Sequence, residues 1–350
     1  MKILITGTAG FIGFHLVSKI VANGHQIVGI DSINDYYDVG LKYGRLENSG
    51  IYKSEITYNK EVQSNKYSNY SFYQLNIEDE DAIKSLFLKH SFDMVVHLAA
   101  QAGVRYSLEN PHAYVKSNVG GFLNIIECCR KDNIKHLVYA SSSSVYGLNN
   151  DSIFSTSDSV DHPVSLYAAT KRSNELMAHV YSHLYNLPVT GLRFFTVYGP
   201  WGRPDMAPML FTKAIINDEP ISIFNNGQMS RDFTYIEDIV DGILKVLDNP
   251  PTGKKEEFMV NALPSNSPAP FAIYNIGNNS PVGLMDFITI LEQEIGKQAI
   301  KLFKPMQPGD VVSTFADVSP LINEMGYEPK TGLQKGIKHF FEWYSSFYKM

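Results

Sequence analysis

The sequence predicts an α/β protein built on a doubly wound parallel sheet, with a smaller α/β lobe that is discontinuous in the chain. Three observations carry this. Short apolar runs alternate with helical periodicities through the first half of the 350 residues. The runs are near-continuously apolar, the pattern of strands covered on both faces. Three glycines separate the first run from the first helix, as in a strand–turn–helix unit that can hold an anion.

The elements follow in order. "KILIT" is a strand ending at Gly7, a helix runs from about Phe11 to Ala22, and "QIVGI" is a strand ending at Asp31. "SFYQL" precedes Asn76, "FDMVVHL" precedes Ala99, "HLVYA" precedes Ser141 and "VTGLRFF" precedes Thr196. Helices are expected between them, notably over Pro111–Arg130 and Tyr167–Tyr185. After Thr196 the pattern changes: "YGPWGRPDMAP" clusters Pro, Gly, Trp and Arg, and short elements follow. "DFTYIEDIVDGILKVL" and "FAIYNIG" read as a return to the first lobe. The expected division is residues 1–195 plus about 233–278 for the sheet domain, and about 196–232 with 279–350 for the second lobe. Asn59–Tyr70 and Pro250–Pro270 are polar or Pro-rich and read as exposed loops.

Composition narrows the function. A hydrophobic share of 44% with 19% charged residues is that of a soluble globular protein. A net charge of −6 leaves no basic footprint for nucleic acid or an anionic membrane. The two cysteines, Cys128 and Cys129, are adjacent in a helical pattern, which predicts buried thiols, not a disulfide framework or a metal site. No apolar stretch reaches membrane-spanning length and the N-terminus leads directly into a strand, so a cytoplasmic protein is expected.

The turn "GTAGFIG" places Gly7, Gly10 and Gly13, with Phe11 and Ile12, between strand and helix. Such a turn allows close backbone approach to a pyrophosphate at a helix N-terminus. Asp31 ends the next strand, where a carboxylate can accept from both adenosine ribose hydroxyls. A 2′-phosphate would meet that charge, and the neighbouring Ser32 offers no compensating cation. The expected cofactor is NAD rather than NADP.

The hydroxyl run Ser141–Ser144 ends a central strand, and ligands in open parallel sheets bind beyond the strands' carboxyl ends. Tyr167 and Lys171 lie one helical turn apart, and Tyr167 is the only tyrosine with a lysine four residues later. Ser142 would bond a reacting oxygen, Tyr167 would act as its base or acid, and Lys171 would hold the nicotinamide ribose and stabilise the phenolate. An unperturbed phenol titrates near ~10, and lowering that by about three units needs roughly 4 kcal/mol. A neighbouring ammonium is expected to supply part of it.

"TGTAGFIG", "HLAAQAGVRYSLENP", "SSSSVYG", "YAATK" and "RFFTVYGPWGRPDM" resemble the extended short-chain dehydrogenase/reductases, with a Rossmann domain. Within them the chain is most similar to the NAD-dependent nucleotide-sugar epimerases acting on uronic acids, the UDP-glucuronate 4-epimerases. The resemblance implies a UDP-sugar substrate, oxidation at the sugar C4 and return of the hydride to the opposite face, and a homodimer. It implies that Asp31, Ser32, Asn76, Ile77, Leu98, Ala99, Ala100 and Asn118 line the NAD site with the glycine turn. It also implies that Ser142, Ser143, Ser144, Tyr167, Thr196, Arg203, Arg231 and Asp310 face the nucleotide sugar. Gln307 stands where neutral-sugar epimerases often carry Arg, and Arg105 is a further candidate cation. The 4,6-dehydratases place an Asp-Glu pair at the positions of Ser143 and Ser144, and UDP-glucuronate decarboxylases place Glu at Ser144. Those serines argue against both. A 4-epimerase of a UDP-N-acetylhexosamine or its uronate, a decarboxylase, and a catalytically silent NAD sensor or scaffold are the alternatives.

Overall fold

The computed structural model describes residues 1–149, 153–306 and 313–349. Among them the strands are β1 (Lys2–Thr6), β2 (Gln26–Asp31), β3 (Glu61–Gln63), β4 (Tyr70–Gln74), β5 (Met94–His97), β6 (His136–Ser142), β7 (Val189–Phe194), β8 (Thr196–Tyr198), β9 (Pro220–Ile223), β10 (Ser230–Tyr235), β11 (Phe271–Ile276), β12 (Pro281–Gly283) and β13 (Ile300–Phe303). The main sheet has the order β11-β7-β6-β5-β1-β2-β4-β3. Every pairing in it is parallel except β3 on β4. β1 sits at its centre, where Ile3, Leu4 and Ile5 are fully buried from both faces. The chain winds outward through β2 and β4, then returns to the other side of β1 with β5. The crevice above the carboxyl ends of β1 and β5 is therefore the topological switch point, the place where such sheets hold ligands. Thr6 pairs with His97 there, so Gly7 and Leu98 open the crevice.

Helix Phe11–Ala22 leaves the glycine turn as expected. The expected helix over Pro111–Arg130 is continuous but uneven. It starts at an Asn110 cap with Pro111 in the first turn, widens through Val115–Gly121, and resumes over Phe122–Lys131. Helix Leu166–Tyr185 is capped by Ser165, whose hydroxyl accepts from the Ala168 amide, so Tyr167 falls in its first turn.

Two expected loops contain structure. Asn59–Tyr70 includes β3, whose alternation puts Val62 inward and Glu61 and Gln63 outward, closing the edge of β4. Pro250–Pro270 includes the short helix Lys255–Val260, on which Met259 and Val260 are exposed.

The second part of the chain forms a small sheet, β12-β10-β8, and a parallel pair, β13-β9. Helix Ile236–Leu247 packs on helix Phe11–Ala22, and β11 becomes the outer strand of the main sheet. One apolar cluster runs from Ile3 and Ile5 through Phe233 to Phe287 and Phe340, so both sheets share a core. Among the described residues, no helix is long and apolar enough to cross a membrane.

Candidate active site

A cavity of about 960 Å³ opens above the carboxyl ends of β1, β5 and β6 and extends to β8 and β10. Gly7, Gly10, Phe11, Ile12 and Gly13 line it at one end, with Asp31, Ser32, Asn76, Ile77 and Leu98–Ala100. Ser142, Ser143, Ser144, Tyr167 and Lys171 line its middle, and Thr196, Arg203 and Arg231 line the other end. Sequence positions nearly the length of the chain apart are thus brought to one crevice. Asn118 is not on the wall. It is buried behind it, accepting from the Gln101 amide at 2.8 Å and donating to the Gln101 carbonyl and the Thr170 hydroxyl, both at 3.1 Å. Its amide is used up holding the segment after β5 against helix Leu166–Tyr185. Arg105 stacks over the Phe224 ring at 5.5 Å and does not line the cavity. Asp310 and Gln307 lie outside the described residues.

The glycine turn is tight because the helix sits on it. A Cβ at Gly13 would fall 2.1 Å from the Gly7 carbonyl oxygen, and one at Gly7, which has φ +82°, would fall 2.9 Å from the Ala99 nitrogen. Gly10 has no side chain to cap the first turn, which leaves that turn's amides to an external anion. The Asp31 carboxylate accepts one bond on each oxygen, from Ala9 N at 3.1 Å and Ile33 N at 2.8 Å, and keeps lone pairs for hydroxyl donors. These groups fit a dinucleotide: donors at the anion end, a carboxylate at the ribose end, and no room for side chains between.

At the centre, Ser142 ends β6 and its Oγ accepts from the Ser144 amide at 3.2 Å and the Ser144 hydroxyl at 2.9 Å. Ser142 is therefore the cap of the following turn, and it also bonds the Tyr167 hydroxyl. Burial pushes the Tyr167 phenol up from its usual range, while the Ser142 bond and the Arg203 charge pull it down. Lys171, only 3% exposed, donates to the Ala140 carbonyl at 2.9 Å, and burial lowers its pKa to about 8. This differs from the expectation that Lys171 would be the cation acting on the phenol. The lysine reaches across to the backbone of β6, and the charge bearing on Tyr167 belongs to Arg203. Arg203 is held in a bidentate pair by Asp205, Nε–Oδ1 at 3.0 Å and Nη2–Oδ2 at 2.6 Å.

A model of the NAD dependent epimerase/dehydratase family matches residues 3–262, which span the glycine turn, Ser142, Tyr167, Lys171 and Arg203. The chain belongs to this family. It is similar to Protein CapI of Staphylococcus aureus, 54% identical over 349 residues that cover 100% of both chains. It is 46% identical to UDP-glucuronate 4-epimerase 4 of Arabidopsis thaliana over 99% of this chain and 76% of that protein. Its fold superposes with a TM-score of 0.82 on the crystal structure of UDP-glucuronic acid 4-epimerase from Bacillus cereus in complex with UDP-glucuronic acid and NAD. That protein is 32% identical, and the match covers 99% of this chain and 100% of that one.

In this epimerase/dehydratase family member the cavity wall also includes Tyr36, Tyr37 and Lys42, which motif reading passed over. Lys42 lies beside Asp31, but its ammonium is spent on Asn34, donating to the carbonyl and side-chain oxygens at 2.6 Å each. Asp31 therefore faces the cavity without an ion pair to Lys42. The segment "DSINDYYD" contained the signal, since two adjacent tyrosines in a polar loop after a nucleotide-binding strand have no core to fill.

Proposed function

We propose that this protein is an NAD-dependent 4-epimerase that interconverts UDP-glucuronate and UDP-galacturonate through a transient 4-keto sugar. The observation that carries this reading is the meeting, in one cavity, of a dinucleotide turn, the Ser142–Tyr167–Lys171 group, and a carboxylate-free wall of Ser143, Ser144, Thr196 and Arg203. NAD, when bound, supplies the chemistry of hydride removal from C4 and hydride return. The chain's own residues do the rest. Tyr167 takes the proton of the 4-hydroxyl and gives it back, and Ser142 orients that oxygen. Lys171, anchored on Ala140, keeps two N–H groups for the cofactor ribose. Asp31 receives the adenosine ribose, and Asn118 keeps the segment at Gln101 in place behind the cofactor. Arg231 and Asp310 take the diphosphate and ribose of the nucleotide.

A 4-keto uronate is a β-keto acid and tends to lose carbon dioxide when its carboxylate stands perpendicular to the ketone plane. Ser143 and Thr196 hold it near that plane, joined by Ser144 when its single hydroxyl proton turns from Ser142 to the sugar, and Arg203 adds charge. Residues 1–195 with about 233–278 form the NAD-binding domain, and about 196–232 with 279–350 the sugar-binding lobe. The enzyme is cytoplasmic and works as a homodimer. Its exposed Leu123, Leu176, Val180 and Leu184, on two helices packed side by side, are suited to a partner copy.

The test is to incubate the purified protein with UDP-glucuronate, UDP-glucose and UDP-N-acetylglucosamine and follow each by NMR. The 4-epimer of UDP-glucuronate is the expected product. Turnover of only the other sugars would overturn the reading. Replacing Ser144 and Thr196 by Ala and Val should slow epimerisation and release some UDP-pentose. Each lost bond to the carboxylate costs roughly 1.5–3 kcal/mol, about tenfold to a hundredfold in rate.

A further inference from the structure

Arg45 lies on helix Val39–Asn48, near the cofactor end, and is fully buried. Among the described residues, every acceptor it has is a neutral oxygen. Nη1 donates to the Ala9 carbonyl and to the Tyr37 hydroxyl, both at 2.8 Å. Nε and Nη2 fork onto the Trp201 carbonyl at 3.2 and 2.7 Å, and Nη2 also reaches the Gly202 carbonyl at 3.4 Å. Ala9 is inside the glycine turn, and its amide is held by Asp31. Trp201 and Gly202 lead directly into Arg203. One side chain therefore spans from the turn that takes the dinucleotide to the loop that presents a cation to the catalytic tyrosine.

The same loop is gripped nearby. His15, on the helix that leaves the turn, donates from Nε2 to the Pro200 carbonyl at 2.9 Å. Burial lowers its pKa to about 4, so it is neutral at pH 7. Tyr36 donates to Asp205 at 3.1 Å, and Asp205 clamps Arg203. Phe14 packs on the Trp201 ring at 5.4 Å. Trp201 itself has φ +62°, a region that bulky residues rarely occupy unless their surroundings impose it. Three successive carbonyls, Pro200 to Gly202, thus accept bonds from side chains of the cofactor end, and a strained residue sits in the middle.

We propose that Arg45 is a positioning residue of the catalytic centre, suspending the loop of residues 200–205 from the glycine turn and so fixing Arg203 relative to Tyr167. An arginine is required because only its planar fork can meet carbonyls on two segments at once. A consequence is that filling the turn with dinucleotide also orders the Arg203 loop. The role given to Arg203 rests on the function proposed above.

The test has two arms. The first is a double-mutant cycle of Arg45→Lys and Arg203→Met, read as kcat and KM for UDP-glucuronate. Arg45→Lys should lower kcat by about tenfold or more with a smaller change in KM. Adding it to Arg203→Met should lower kcat no further, because both lie on one path. Losses that multiply would overturn the proposal. The second arm needs no turnover, so it stands even if the substrate assignment fails. Hydrogen exchange is followed in residues 199–206 and in the glycine turn, with and without NAD and with no sugar. In the wild-type protein NAD should slow exchange in both segments; in Arg45→Lys it should slow only the turn. Residues 199–206 that ignore NAD in the wild type, or that respond equally in the variant, would refute the coupling.

Discussion

Lys171 is a charged side chain only 3% exposed, and burial alone takes its pKa from 10.5 down to about 8. Holding that proton at pH 7 costs roughly 3 kcal/mol, which its charged-donor bond to the Ala140 carbonyl, worth about 1.5–3 kcal/mol, offsets only in part. The first effect wins, so Lys171→Met should melt at a higher temperature than the wild type at pH 7 while losing turnover. The sign follows from proton counting. Between pH 8 and 10.5 the unfolded chain binds more protons at this lysine than the folded one, so wild-type stability gains as pH rises through that window. The deficit relative to Met is fully present below about pH 8 and is gone above 10.5. Thermal melts of both proteins across this range check it, and a lower melting temperature for the variant at pH 7 would contradict the account. The pairing of Tyr167 with Lys171 was legible because i and i+4 share a helix face. Which oxygen the ammonium would bind was not, since a shared face does not name a partner. The Arg203 charge bears on Tyr167 only through the tertiary fold, which no local spacing encodes.

The elements were legible where the apolar pattern was long. The strands Lys2–Thr6, Gln26–Asp31 and His136–Ser142 follow from continuous runs, and the helix from Phe11 to Ala22 from its periodicity and glycine start. β3 escaped because three residues with one inward Val62 carry almost no periodicity. Asn118 lies on the expected segment, but its side-chain amide is taken by Gln101 and Thr170 behind the cavity wall, partners that no local spacing names. What holds helix Leu166–Tyr185 in register is Glu175, one turn beyond Lys171. It pairs with Arg193 of β7 at 2.9 and 3.0 Å and accepts from Ser141 of β6 at 2.7 Å, with Glu175 and Arg193 both 0% exposed in their side chains. Removing one partner strands the other charge in the core. Glu175→Ala should therefore lose about 3–5 kcal/mol of stability, measured by denaturant unfolding. A loss below about 1 kcal/mol, the ordinary value of a surface pair, would show that this pair does not fix the helix.

At the scale of the whole molecule, two sheets close on one cavity and share one apolar core, so cofactor and sugar ends are held as a unit. The side chains left over are informative. Leu176 is 54% and Leu184 62% exposed, on the helix that carries Tyr167. Apolar residues on such a face point to a covering surface. Leu176→Glu with Leu184→Glu should turn a dimer into a monomer in light scattering, and a wild-type protein that is already monomeric would sink the homodimer. The central claim is that C4 loses and regains its own hydride inside the cavity. UDP-glucuronate carrying deuterium at C4 tests it most directly, with the product's label read by mass spectrometry and NMR. The account predicts that UDP-galacturonate keeps the deuterium at C4, because the hydride is stored and returned without meeting water. Product formed with that deuterium exchanged for solvent hydrogen would contradict it.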